Sequence, residues 1–218
     1  MTMPKFDLTR QRLQILKEFD DDIIDQLLYN ISTFTAQKHK HLATLAEEIE
    51  ANTLQDGCDA VWLSTLVDDD QTFLDETHKL IYQLAIVALY KKIEITTRRA
   101  LATVFPDSPA EAHLKSEKLN KYLRKKGIEI ESLPNYAAMH EVRCLHNDIE
   151  QGGIAGKKLA AYPDWEKGET LPHLEDAYKR LAPLCASYLK ELIDMLMQNL
   201  SSGPFLDETN AAEMDWVD

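Results

Sequence analysis

Turn formers are scarce in this chain, with seven glycines and eight prolines among 218 residues, and few stretches alternate apolar and polar residues. Sandwiches and barrels built of many short strands need both features, so an all-α fold is expected instead. Cysteine is also rare: Cys58, Cys144 and Cys185 are odd in number, far apart and without a CxxC pair. That argues against a disulfide framework and a cysteine-held zinc, and fits a reducing cytoplasm. No apolar run approaches the roughly 20 residues that cross a bilayer, and residues 1–17 lack the apolar centre of a signal peptide. The expected location is cytoplasmic, with no membrane partner. Glycine-rich phosphate loops, a nucleophile elbow and HExxH are missing as well, so the sequence suggests no cofactor.

Basic charge is in deficit overall: 24 Lys and Arg stand against 37 Asp and Glu, a formal net charge of −13. A general DNA or membrane coat needs the opposite sign. The deficit is uneven, however. From Lys91 to Lys126 ten Lys and Arg meet four acids, a local charge of +6. Such a window can hold a phosphate backbone, or it is a solvated helix face paired with acids elsewhere. Residues 201–218 carry five acids and no base and are expected to form a disordered acidic tail after a single domain over residues 1–200.

What is present is helical periodicity. Asp7 is placed to cap a first short helix, and Asp20, Asp21 and Asp22 stand where a long helix would begin, favourable at its positive end. That helix is expected to reach Ala51 with an inner face of Ile24, Leu27, Leu28, Ile31, Phe34, Leu42 and Leu45. A loop with Gly57 would follow, and Asp70 would cap a helix from Phe73 to Val104 with its apolar middle at the bundle centre. Ser108-Pro109-Ala110-Glu111 is a capping box opening a helix that stops at Gly127. Pro134 would open the next helix and Gly152-Gly153 close it. The last helix would run from Pro172 to Leu200, kinked or started by Pro183. The architecture is thus a bundle of about four long helices with short additional ones.

The segment MHEVRCLHNDIEQGG, residues 139–153, concentrates the chemistry. At about 100° per residue, Met139, Val142, Leu145 and Ile149 share one helix face. Tyr136, His140, Arg143, Asn147 and Gln151 share the adjacent one. His146 and Glu150 lie at the border, while Glu141, Cys144 and Asp148 are expected to face solvent. A polar stripe at a core edge suits a rigid site, and equally a network tying helices together.

Leu123-Arg-Lys-Lys-Gly-Ile-Glu-Ile, then Tyr136, Glu141-Val-Arg143, Asn147-Asp-Ile149 and Gly152-Gly153 together resemble the HEPN family. Val87-Ala-Leu-Tyr90-Lys-Lys-Ile-Glu94 on the preceding helix adds to the resemblance, which covers about residues 73–155. It implies a helical bundle, a homodimer, and in many members a metal-independent endoribonuclease of toxin–antitoxin or defence systems. Arg143 would then hold the scissile phosphate, Asn147 would hydrogen-bond and position helices, and His146 or His140 would move the 2′-hydroxyl proton. Lys121, Arg124 and Lys125 would steer RNA, and an antitoxin or other protein would be a partner. The chain departs from the family in three places. The terminal histidine falls on Gln151, the lysine before it on Glu150, and an arginine before the asparagine on His146. Glutamine does not ionise near neutral pH and cannot be the base. The same fold with its chemistry lost, acting as an interaction module, is therefore the second expectation.

Other polar clusters have plainer readings. His39 and His41 diverge around a helix and make a poor chelate, and Asp68-Asp69-Asp70 is explained by capping and solvation, so no metal is expected. Glu94 sits in an apolar stretch where an unpaired carboxylate is costly. A pairing with Arg143 across two helices is expected, either as a salt bridge or to orient the site. A small-molecule sensor has no support beyond the fold.

Overall fold

A computed structural model describes residues 5–18, 22–52, 57–106 and 116–202. These form six α-helices: α1 (Lys5–Lys17), α2 (Asp22–Asn52), α3 (Gly57–Val104), α4 (Ser116–Lys125), α5 (Tyr136–Glu150) and α6 (Leu174–Ser202). Among the described residues the extended contact is one isolated bridge, Ile154 with Thr170. The all-α expectation holds. No described helix is long and apolar enough to cross a membrane.

Several helix ends differ from expectation. Asp70 caps nothing: α3 runs unbroken from Gly57 to Val104, so Asp68, Asp69 and Asp70 lie inside a 48-residue helix. Neither glycine nor proline interrupts residues 58–104, and three solvated aspartates do not outweigh a continuous seam beneath them. Asp7 likewise lies inside α1, which begins at Lys5. Asp20, Asp21 and the capping box at residues 108–111 fall outside the described residues, as does the tail from residue 203. Gly127 stops α4 in a left-handed turn (φ 74°) as expected, and Pro183 lies within α6.

The chain divides into two compact units. The first takes Met1–Phe19, Tyr90–Arg143 and Leu181–Asp218. Its core holds Leu13, Ile93, Leu101, Leu123, Val142, Tyr188 and Leu192, all nearly or fully inaccessible. Burying each such aliphatic side chain is worth about 1.5–3 kcal/mol. Lys17 ties α1 to α6 through Asp194 at 2.6 Å.

The second unit takes Asp20–Leu89 and Cys144–Arg180. Helix α2 and the Gly57–Leu89 part of α3 form an antiparallel hairpin with a seven-residue period. Leu28, Thr35 and Leu42 are buried on α2; Val67, Leu74 and Ile81 are buried on α3. Thr35 satisfies its hydroxyl on the Ile31 and Ser32 carbonyls, each at 3.1 Å. His39 lies 3.6 Å from Asp75, and Ser32 hydrogen-bonds Tyr82. Such a seam is that of a coiled coil, narrower than the expected face. Leu27 and Phe34, assigned to the inner face from the sequence, are each 55% exposed, one position off the seam.

Candidate functional site

Helix α5 is built to be held at both ends. At its start, Asn135 donates its side-chain amide to Glu191 of α6 at 2.7 Å, and its backbone N–H points to the same carboxylate at 3.4 Å. A carboxylate there also suits the positive end of the helix dipole. At its finish, Gly152 (φ 112°) and Gly153 (φ 73°) take conformations that favour glycine. The Gly153 N–H reaches back to the Asp148 carbonyl at 2.8 Å, closing the last turn. Asp148 adds a second clamp, its carboxylate accepting the Gly156 N–H at 2.7 Å. Sequence reasoning found neither Glu191 nor the role of Asp148. Glu191 is 56 residues from the end it holds, and no local pattern connects them.

Between these ends α5 is packed on nearly every side. Ala138, Met139, Val142 and Leu145 are buried as expected, but so are Glu141 and Cys144, each only 4% exposed. Their expected outward placement is therefore corrected: the helix has more than one packed face. Ala137, His140, Arg143, Asn147 and Glu150-Gln151 form an accessible ribbon at helical spacing, and Tyr136, Asp148 and Ile149 near the helix ends are half-buried. His140 and Arg143 are half-buried, Asn147 and Gln151 exposed. The His140 ring lies 6.1 Å from that of Tyr136, tilted by 33°.

His146 is different. It is 3% exposed, with Nε2 at 3.3 Å from a Glu150 carboxylate oxygen and Nδ1 at 3.4 Å from Asn147 Oδ1. An imidazole so enclosed orients its neighbours more readily than it meets a substrate. Of the two histidines the sequence offers, His140 is the one on the open ribbon.

The other candidates lie nearby in sequence, and their surroundings vary. On α4, Leu123 is buried while Lys121, Arg124 and Lys125 are exposed. Arg124 is already paired with Glu131, which also accepts from Asn120 at 2.7 Å. Glu94 is gripped by its own helix, by Arg98 at 2.6 Å and Lys91 at 3.5 Å. So part of the basic window is internally neutralised, while Lys121 and Lys125 are exposed beside Arg99, Lys118 and Lys126. No group of three or more metal-type ligands occurs among the described residues.

Beneath the ribbon, the first unit holds a close set of ionisable groups. Burial pushes the Cys185 thiol up to about 12, with the Glu141 carboxylate adding to the rise. Burial raises the Tyr188 phenol strongly too, helped by Tyr136, Cys185 and Tyr90. The Cys185 thiol and the Tyr188 phenol stay neutral at ordinary pH and form a support, not a nucleophile. Comparison with known proteins adds no name to this geometry: no family model, curated protein or solved structure matches the chain.

Proposed function

We propose that this chain is a HEPN-like bundle of the prokaryotic RNA-cleavage and defence type, engaging an RNA phosphate at the open ribbon of α5. The supporting observation is that α5 gives nearly every side to packing except the ribbon carrying His140, Arg143 and Asn147. Arg143 offers a planar fork for two phosphate oxygens. His140 accepts the 2′-hydroxyl proton as that oxygen attacks the adjacent phosphorus. The P–O5′ bond breaks, leaving a 2′,3′-cyclic phosphate and a 5′-hydroxyl end protonated from water. Asn147 hydrogen-bonds the bound strand. Lys121 and Lys125 supply long-range attraction. The oligomeric partner and any antitoxin are part of this proposal and follow from the family resemblance.

A second reading has its own support. Gln151 and Glu150 stand where relatives carry histidine and lysine, and His146 is enclosed. In that reading the bundle binds a protein partner and cleaves nothing. The test is metal-free cleavage of RNA by the wild type beside Arg143→Ala, His140→Ala and His146→Ala, with end-group analysis. The proposal expects cyclic-phosphate ends and a loss of about 10²-fold or more for the first two variants. Folded wild type without cleavage would establish the second reading, and cleavage unchanged in both variants would place the chemistry elsewhere.

A further inference from the structure

The outer face of α4 is a stripe of lysines. Lys118, Lys121 and Lys125 fall within about 60° of one another around the helix, on the side opposite Leu123. Leu123 is fully buried, and all three lysines are exposed. The stripe is only about 10 Å long. Just beyond the helix, Lys126 is exposed and sits 5.9 Å over the Phe105 ring. Of the acids nearby, Glu131 already holds Arg124 and Asn120, and Glu129 is exposed past Gly127. Like charges at helical spacing repel and weaken a helix, so this face gains from a polyanion laid over it.

The chain carries a polyanion of its own. Residues 203–218 follow α6 and lie outside the described residues. They include Asp207, Glu208, Glu213, Asp215 and Asp218 and no base, a charge of −5 that nearly matches the +6 of the Lys91–Lys126 window. Both α4 and the chain from Leu181 to Asp218 belong to the first unit. Sixteen residues can span up to about 50 Å, against a radius of gyration of about 13 Å for a compact unit of roughly 100 residues. The lysines of the stripe are therefore within reach, at an effective concentration in the millimolar range. A segment made only for solvation has few aromatics. This one includes Phe205 and Trp216, and a lysine ammonium is attracted to an indole face.

We infer that residues 203–218 dock on the outer face of α4 and screen it from external polyanions. The segment sets carboxylates on the lysines that would otherwise take phosphates. An RNA strand must displace it before Lys121 and Lys125 can draw the strand in. The displacement rests on the RNA reading above, whereas the contact rests on charge and reach alone. Each exposed ion pair contributes little, so the cover is reversible and weakens with salt.

Zero-length carbodiimide cross-linking of the full chain, read by mass spectrometry, tests the contact. Links from the carboxylates of residues 207–218 to Lys118, Lys121 or Lys125 are expected. They should exceed links to Lys79 and Lys157, exposed lysines of the second unit, and fade in high salt. The second arm exchanges the five acids for amides: Asp207→Asn, Glu208→Gln, Glu213→Gln, Asp215→Asn and Asp218→Asn. That variant should bind a short fluorescein-labelled single-stranded RNA about tenfold more tightly at low salt, read by anisotropy. Links spread evenly over all lysines would overturn the inference, as would links only between isotope-labelled and unlabelled chains in a mixture. The expected links with an RNA affinity unchanged by the amide exchange would overturn the screening. The expected links with RNA bound by neither chain would uphold the contact and count against the RNA reading.

Discussion

Gly156 and Asp148 offer a sharp test of how the end of α5 is held. Asp148 accepts the Gly156 N–H at 2.7 Å, and a Cβ built on Gly156 would stand 2.9 Å from Asp148 Oδ1 and 3.3 Å from Oδ2. Gly156 lies outside the left-handed region, so alanine meets no backbone penalty there. Hydrogen bonds to charged groups contribute about 1.5–3 kcal/mol, so Asp148→Ala should cost about 2 kcal/mol. Gly156→Ala displaces the same carboxylate and loses the same bond, offset by about 0.5 kcal/mol from a stiffer unfolded chain, for a net cost of about 1.5 kcal/mol. In the double variant the bond is already gone and the space is free. Its total cost should be about 1.5 kcal/mol, against about 3.5 kcal/mol if the two effects were independent. In thermal melting followed by circular dichroism, at about 2–4 °C per kcal/mol for a chain of this size, the double variant should melt no lower than Asp148→Ala. Additive losses would refute the reasoning, because the two changes would then act through separate contacts.

Burial raises the Cys185 thiol from 9.0 to about 12 and the Tyr188 phenol above its usual 10.0. The folded chain therefore keeps protons that the unfolded chain releases. Their stabilising effect is complete below pH 9 and falls as pH rises, by at most about 1.4 kcal/mol per pH unit for each group. Urea midpoints should drop between pH 9 and 10, and Cys185→Ala should flatten that slope; an unchanged slope would show that other groups govern it. Pro183 interrupts the backbone ladder of α6, where proline costs about 3 kcal/mol relative to alanine. Pro183→Ala should raise the melting temperature by several degrees, and a fall would mean that a proline bend seats Cys185 and Tyr188. If this chain differs from the HEPN proteins its sequence resembles only in lacking a base, Gln151→His with Glu150→Lys should confer or increase metal-free RNA cleavage; no gain, with cleavage still dependent on His140, would favour chemistry one turn earlier on α5.

Much of the architecture could be read because it rests on short-range causes. The stop at Gly127, the double-glycine end of α5 and the course of α6 follow from positive-φ glycines and helical spacing, which any helix must respect. The start of α3 could not be read that way. Asp68, Asp69 and Asp70 have the residue types of a cap, and only the partner helix shows that Val67 and Leu74 carry the seam straight past them. The inner face of α2 was misassigned for a related reason. Leu27 and Phe34 are apolar, but a two-helix seam takes fewer positions than a wide core face. Sequence patterning alone assigned the surplus apolar residues to the core.

On α5 the ribbon of His140, Arg143, Asn147 and Gln151 was legible from spacing, whereas its surroundings were not. A helical wheel assumes one packed face, and on that assumption Glu141 and Cys144 point to water. In the structure both are buried, so the packed arc extends beyond the apolar residues and the accessible arc shrinks to the ribbon. That change decides between the histidines. His146 follows Arg143 in the direction in which the HEPN proteins that the sequence resembles place their base, yet packing encloses it against Glu150. His140 precedes Arg143 by three residues and remains reachable. A proton acceptor must reach its proton before its affinity matters, so access weighs more here than sequence order. Under the proposed function, proton transfer at this ribbon runs through His140, one turn N-terminal to Arg143, and not through the enclosed His146.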